Sequence, residues 1–380
     1  MVENSRQKVL IIISNLNIGG AEMTMYKTIV LLKNDIDFIV FSLSTDGNLS
    51  KRIKEEGIKV YNFELSKNFI RTLKNLYLLI IAEKPDIVHT WMYHSDFFGG
   101  IIAKIAKVKC IIWGIRNTDL IKGTNFSTRI IGLINAILSY FIPNKILVVS
   151  NSAKIKHKSI GYCSTKMIVI PNGFSHLDSG LSFVEKIKFR KYLKLPETSI
   201  LIGSVGRFNQ YKDHATFIKA GMKLLDMVQP DTEITFLIIG KNVNNPFLKG
   251  LINKSNYEEK FKFFEETNDI NKFYSIFDIF CLHSISEGFP NVLAEAMLMG
   301  CVCISTDVGD AKLILNDDER IIPPKSPDLL AHKLFETINL SKNEKDIIGL
   351  QNTRRIISNY SIESMKKKYF NIYTNNYVES

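Results

Sequence analysis

Short apolar runs rich in β-branched residues recur along the chain. Each is closed by a turn-forming residue and followed by a stretch with helical spacing. Residues 8–14, 37–42, 59–63, 86–89, 110–117, 145–150 and 166–171 read as one series of strands. Residues 200–205, 234–240, 262–265, 277–283 and 301–306 read as a second. Runs that stay apolar instead of alternating belong to strands covered on both faces, and helices between them imply parallel pairing through crossovers. The pattern predicts an α/β protein of two doubly wound domains, at 1–175 and 176–360. A linker is expected in the breaker-containing stretch up to Pro196, and a basic, aromatic helix over 361–380.

Open parallel sheets bind ligands beyond the carboxyl ends of their strands, so residues there carry the candidate chemistry. Gly19 and Gly20 follow the first strand; without side chains they let backbone approach a ligand, or they form only a turn. His89, Trp91 and His94 follow 86–89, where a histidine relays a proton, orients a group, or simply packs. Arg116 and Asn117 close 110–117, and Arg116 suits an anionic group or a hydroxyl-bearing acceptor. In the second series, Gly206, Arg207 and Lys212 follow 200–205. The two cations read as a diphosphate clamp or as two surface charges. Thr267, Asn268, Asp269 and Ile270 begin a helix whose backbone groups are placed to meet a base.

The stretch 286–306, SEGFPNVLAEAMLMGCVCIST, is the most closely framed. Glu287 precedes a turn of Gly288, Phe289 and Pro290. A helix starting with Asn291 and Val292 carries Glu295 and ends at Gly300. The amino end of that helix is a ready phosphate site, and the two carboxylates suit ribose and sugar hydroxyls. The plain alternative is one capping-type glutamate and one solvated glutamate.

Composition narrows the field. The 380 residues suffice for two cores, and no targeting segment or spanning run is visible. Five cysteines without metal or disulfide spacing fit a reducing cytoplasm. The absence of GxGxxG argues against a nicotinamide enzyme, and no Asp-x-Asp is placed to hold a divalent metal. The net charge of +11 lies wholly in residues 1–170, which hold 23 Lys plus Arg against 12 Asp plus Glu; the rest hold 26 of each. Such asymmetry points to an anionic partner, a membrane surface or phosphorylated lipid; no motif or basic–aromatic run supports nucleic acid. The long apolar and basic stretch 129–145 reads as an interfacial helix or as a buried one.

The Glu287 and Glu295 block, Gly206-Arg207 with Lys212, Pro171-Asn172-Gly173 and Gly19-Gly20-Ala21-Glu22 together resemble the retaining glycosyltransferases of family 4. The resemblance runs through nearly the whole chain. It implies the GT-B fold, two Rossmann-like doubly wound domains facing across a cleft, with the terminal helix returning to the first. It also implies that Arg207 and Lys212 hold a donor diphosphate beside the Asn291 and Val292 amides. Glu295 would bind ribose, Glu287 with the 288–290 backbone would hold the sugar, and Gly20 would let the first domain close on the phosphate. The family commonly has a histidine where Arg116 stands. A guanidinium is no general base, so the leaving phosphate would take the acceptor's proton while Arg116 stabilises its charge.

A nucleotide-sugar donor is expected, a UDP-sugar foremost, with neither metal nor other cofactor. Charge and pattern favour a polyprenyl-diphosphate-linked saccharide acceptor. The expected location is cytoplasmic, peripheral on the anionic inner face of a bacterial inner membrane, in O-antigen or capsule assembly. A GT-B nucleotide-sugar epimerase and a GDP-sugar-dependent transferase are the alternatives.

Overall fold

The computed structural model describes residues 6–118, 120, 125–175, 180–253 and 255–374. It divides into two units, Met1–Gly173 with Ile362–Ser380, and Phe174–Ser361. Each contains one parallel, Rossmann-like sheet with helical crossovers.

In the first unit the strands are β1 (Lys8–Ile13), β2 (Asp37–Ser42), β3 (Lys59–Asn62), β4 (Ile87–Trp91), β5 (Cys110–Ile115), β6 (Lys145–Val148) and β7 (Met167–Val169). Their order is β3-β2-β1-β4-β5-β6-β7. From β1 the chain winds toward one edge, then returns to place β4 against β1 and winds toward the other. The topological switch therefore lies between β1 and β4. β4 runs two residues beyond the expected end at residue 89, because Trp91 is paired on both sides, to Ile13 and to Gly114. His89 consequently lies within the strand.

The Ile362–Tyr373 helix belongs to this unit. Its Met365, Tyr369, Ile372 and Tyr373 are buried in one cluster with Val9, Ile11, Trp91 and Leu147. Residues 375–380 of the expected terminal helix lie outside the described residues.

The second unit contains β8 (Ile200–Val205), β9 (Ile234–Ile239), β10 (Phe261–Phe264), β11 (Ile279–Leu282), β12 (Val302–Thr306) and β13 (Ile321–Ile322), ordered β10-β9-β8-β11-β12-β13. Its switch lies between β8 and β11. The stretch expected as linker instead contains the Phe183–Tyr192 helix, started by a capping box in which Ser182 and Glu185 satisfy each other's backbone amides. Arg190 on that helix donates to the carbonyls of Glu197 and Ser199 and pairs with Asp278, fastening it to the second unit. The chain passes between units at Gly173 and Phe174 and back at Ser361 and Ile362. Phe174 and Ser361 are joined by a β-bridge, so both passages lie side by side.

Ile372 is fully buried in the first unit's core. Ile372→Ala is expected to cost about 2–5 kcal/mol through lost transfer energy and a residual cavity. Both tryptophans of the chain, Trp91 and Trp113, lie in this unit, so their fluorescence follows its unfolding in urea. An unchanged midpoint would show that the terminal helix adds nothing to this core.

Candidate active site

The switch of the second unit brings two loops together. One leaves β8 through Gly206, Arg207 and Lys212; the other leaves β11 through His283, Ser284 and Glu287. In the first loop, the Asn209 side-chain oxygen accepts from the amides of Tyr211 and Lys212, folding it into a tight turn. Asp213, at φ +52°, then caps the His214–Met227 helix by accepting from the Thr216 amide. The Ile285 amide donates to the Tyr211 carbonyl at 2.7 Å, tying one loop to the other.

His283 makes the stronger tie. Its Nδ1 lies 2.5 Å from the Lys212 carbonyl oxygen and its Nε2 lies 2.5 Å from Ser204 Oγ. A carbonyl only accepts, so Nδ1 carries the proton, and the neutral ring accepts from the Ser204 hydroxyl at Nε2. Burial holds the His283 pKa well below the usual histidine range, with the neighbouring His214 acting in the same direction.

With its backbone fixed in this way, Lys212 places its ammonium 2.6 Å from Glu287 Oε1, which also accepts from Ser284 Oγ at 2.6 Å. Both charged side chains are mostly buried, where a charge-assisted bond gains strength from the lowered dielectric.

The turn after Glu287 is built against the loop that follows β12. The Asp310 amide donates to the Gly288 carbonyl, and Gly309 sits at φ +57°. A Cβ at Gly309 would lie 2.3 Å from the Gly288 oxygen and 2.7 Å from that of Glu287. Both the conformation and the close approach call for glycine there. Phe289 turns its ring inward, stacking on Phe174 and meeting Tyr360 edge-on, so within 288–290 its side chain serves packing. Pro290 is the N-cap of the Asn291–Leu298 helix and supplies no side-chain cap to the first turn, which carries Asn291 and Val292.

The other expected residues of this unit are distributed around that centre. Arg207 is exposed, and its guanidinium makes no ion pair or hydrogen bond among the described residues. Glu295 accepts from the Tyr274 hydroxyl at 2.9 Å, on the neighbouring Ile270–Ile276 helix. Thr267, Asn268 and Asp269 are exposed just before that helix. The Asp269 amide donates to Thr267 Oγ1 and its carboxylate pairs with Lys272. Sequence reasoning missed His283, Ser284, Tyr274 and Gly309. Only the adjacency of His283 and Ser284 to Glu287 was available as a signal.

In the first unit the expected residues take these places. His89 is fully buried inside β4, with Nδ1 2.8 Å from the Tyr373 hydroxyl. Burial, and then the Arg116 charge, bring its pKa down to about 3, so it is a neutral core group. Gly19 has an ordinary extended φ of −156°, and the space its missing side chain leaves is taken by Glu22, whose Oε2 would lie 2.5 Å from a Cβ there. Gly20 begins the Gly20–Leu32 helix and is exposed. Arg116 lies 4.5 Å over the Trp91 ring and donates to Asn172 at 2.9 Å and to the Tyr369 hydroxyl at 3.3 Å. These contacts account for the arginine as a link between β4, the Pro171–Asn172–Gly173 turn and the terminal helix, so its charge is engaged within the unit. Asn117 is exposed beside it.

His94, half-buried, lies in the first turn of the Tyr93–Ile105 helix beside the β1–β4 switch. Met92, the N-cap there, is at φ 76° and ψ 156°, a region nearly reserved for glycine that stores about 1–3 kcal/mol of strain.

Comparison with known proteins places this geometry. A family model described as glycosyl transferases group 1 matches residues 185–356, and one described as glycosyltransferase family 4 matches residues 18–176. The chain is 25% identical to the capsular polysaccharide biosynthesis glycosyltransferase CapM of Staphylococcus aureus, over 94% of this chain and 97% of that one. It is 26% identical to an Escherichia coli UDP-Gal:alpha-D-GlcNAc-diphosphoundecaprenol alpha-1,3-galactosyltransferase, over 67% of this chain and 66% of that one. Among solved structures, Anabaena Alr3699/HepE in complex with UDP superposes with a TM-score of 0.85 at 17% identity, covering 97% of this chain and all of that one, and so shares the fold.

The buried histidines set a pH dependence. Burial holds His214 at about 4 and His283 well below its usual range. An unfolded histidine takes its proton below about 6.5, so folded stability is fully present above that pH and is lost as pH falls. The loss approaches about 1.4 kcal/mol per pH unit for each histidine. Urea midpoints measured between pH 7 and 4.5 should fall accordingly. At pH 7, His283→Ala should cost about 2–3 kcal/mol by leaving the Ser204 hydroxyl and the Lys212 carbonyl without their partner. The same substitution should flatten the pH curve.

Proposed function

The chain belongs to the family-4-type glycosyltransferases of the GT-B fold, and from that premise we propose that it transfers a sugar from a nucleotide-sugar, foremost a UDP-sugar, to a lipid-linked saccharide in bacterial surface polysaccharide assembly. The observation that carries the reading is the Lys212–Glu287 pair, held by buried bonds at the switch point of the second sheet. The names of the relatives support the donor and acceptor classes, with UDP-galactose and a diphosphoundecaprenol-linked sugar for one and capsular polysaccharide for another.

On this reading the donor's diphosphate engages Lys212, Arg207 and the amino end of the Asn291–Leu298 helix. Lys212 shares its ammonium between phosphate and Glu287, and Glu287 turns its free oxygen to the sugar hydroxyls. Glu295, released from Tyr274 or sharing it, takes the ribose. The two cations and the helix dipole balance the charge that builds on the leaving diphosphate, so a divalent ion is not required. The departing phosphate accepts the acceptor's proton on the face it leaves, which retains the anomeric configuration. Work on a lipid-linked acceptor would place the protein peripherally at the cytoplasmic face of the inner membrane.

The test is transfer from a panel of nucleotide-sugars to a polyprenyl-diphosphate-linked acceptor, with and without EDTA. Transfer with retained configuration, persisting in chelator, is expected. Lys212→Ala and Glu287→Gln should each lower kcat by about 10²–10³. Turnover of the donor that does not need acceptor would instead identify an epimerase or hydrolase. Activity lost in EDTA and restored by magnesium or manganese would overturn the metal-free mechanism.

A further inference from the structure

The Phe126–Leu138 helix is amphipathic in the wrong sense for a soluble surface. Gly132, Asn135, Ala136 and, just past its end, Ser139 face the protein and are buried. Phe126, Ile130, Leu133, Ile134 and Ile137 face outward, and the stripe continues through Tyr140 and Phe141. Three of these are largely bare, at 76% for Phe126, 67% for Ile137 and 70% for Phe141.

The helix cannot roll to hide them. Asn135 donates to the Tyr93 carbonyl at 2.9 Å, Ser139 Oγ accepts from the Cys163 amide at 2.8 Å, and a Cβ at Gly132 would lie 2.3 Å from the Leu120 side chain. The inward face is therefore keyed to its neighbours, and the outward face is left to an external partner. An apolar patch of this extent is uncommon on a free surface.

Charge selects the partner. From residue 97 to residue 177 the sequence holds 11 Lys plus Arg and a single Asp. Lys166 donates to the carbonyls of Ser139 and Tyr140, at the end of the apolar stripe. Burial lowers its ammonium's pKa, and repulsion from Lys104 acts in the same direction. Lys104, Lys107 and Lys109 form no ion pair among the described residues. A second copy would bring the same positive charge against itself, and nucleic acid has no use for the apolar stripe. A surface that is apolar within and anionic at its rim satisfies both features. Among the described residues no helix is long and apolar enough to cross a membrane, so a helix lying in the interface is the relevant mode.

We propose that the outward face of the Phe126–Leu138 helix, with Tyr140, Phe141 and the flanking lysines, seats the protein in the headgroup layer of an anionic lipid bilayer. The inference rests on the reading of a lipid-linked acceptor for its purpose, and names the surface that brings the enzyme to it.

The test is co-sedimentation of the full chain with vesicles of phosphatidylcholine alone or with about one third phosphatidylglycerol. Binding is expected to the anionic vesicles and to weaken with salt. Ile137→Glu with Phe141→Glu, both at exposed positions, should lower partitioning at least about tenfold without moving the urea midpoint. Lys104→Ala with Lys107→Ala should lower it by about fivefold per lysine and reduce the salt dependence. Equal partitioning to both vesicle types overturns the proposal. So does a dimer in light scattering that Ile137→Glu with Phe141→Glu converts to monomer while vesicles stay unbound. Transfer to a short, water-soluble acceptor analogue, measured on the same preparation, separates the two readings. Transfer without vesicle binding removes the docking face alone, and vesicle binding without any transfer removes the reaction assignment alone.

Discussion

The His283 imidazole donates to the Lys212 carbonyl, accepts from the Ser204 hydroxyl, and is buried while doing both. Those two bonds join β8, the loop after it and the segment after β11, which are far apart in sequence and adjacent only because the sheet reverses its winding between them. Without that joint, the ammonium of Lys212 and the carboxylate of Glu287 would be two long, flexible side chains, and holding them together would carry an entropic cost. With it, their meeting is set by backbone. The glycine at 309 completes the frame by letting a third loop support the carbonyls of Glu287 and Gly288. The Lys212–Glu287 pair is thus assembled before any ligand arrives, which is the condition for electrostatic stabilisation without reorganisation.

Much of this was legible in the residues. Short, mainly apolar and β-branched runs such as 200–205 and 234–240, bounded by turn-forming residues, fit a strand covered on both faces better than a helix. The spacing around Pro290 and Gly300 marks a helix start and stop for steric reasons that tertiary structure does not override. What stayed hidden were contacts made across the fold. Nothing near residue 89 reveals that Tyr373, from the far end of the chain, closes over His89. The Glu22 carboxylate fills the space at Gly19 only because one helical turn brings it back there. Tyr274 reads as one more aromatic in an apolar run until the helix carrying Glu295 is laid beside it. The capping box at Ser182 is a different case, a local signal outweighed by the breakers on either side of it.

The two units divide the electrostatic labour. The first, with 26 Lys plus Arg against 14 Asp plus Glu, carries the positive excess and the outward-facing apolar helix; the second, with 23 against 24, is close to neutral and holds the buried Lys212–Glu287 pair. A diffuse field and a localised clamp act over different ranges. A spread excess of charge acts at a distance and is weakened by salt, whereas the buried Lys212–Glu287 pair works at contact distance and is shielded from it.

The first unit is also discontinuous in the chain, since its core is closed by residues 362–373. During synthesis the second unit, one unbroken stretch from 174 to 361, emerges complete while the first still lacks its last helix. The interior at Val9, Ile11 and Trp91 therefore stays open during synthesis until residues 362–373 have emerged, which ties maturation of the basic unit to a segment made after the whole of the second unit. A prematurely terminated product would carry an intact neutral unit joined to an unsealed basic one, a form suited to capture by chaperones and proteases before it can reach its place of work.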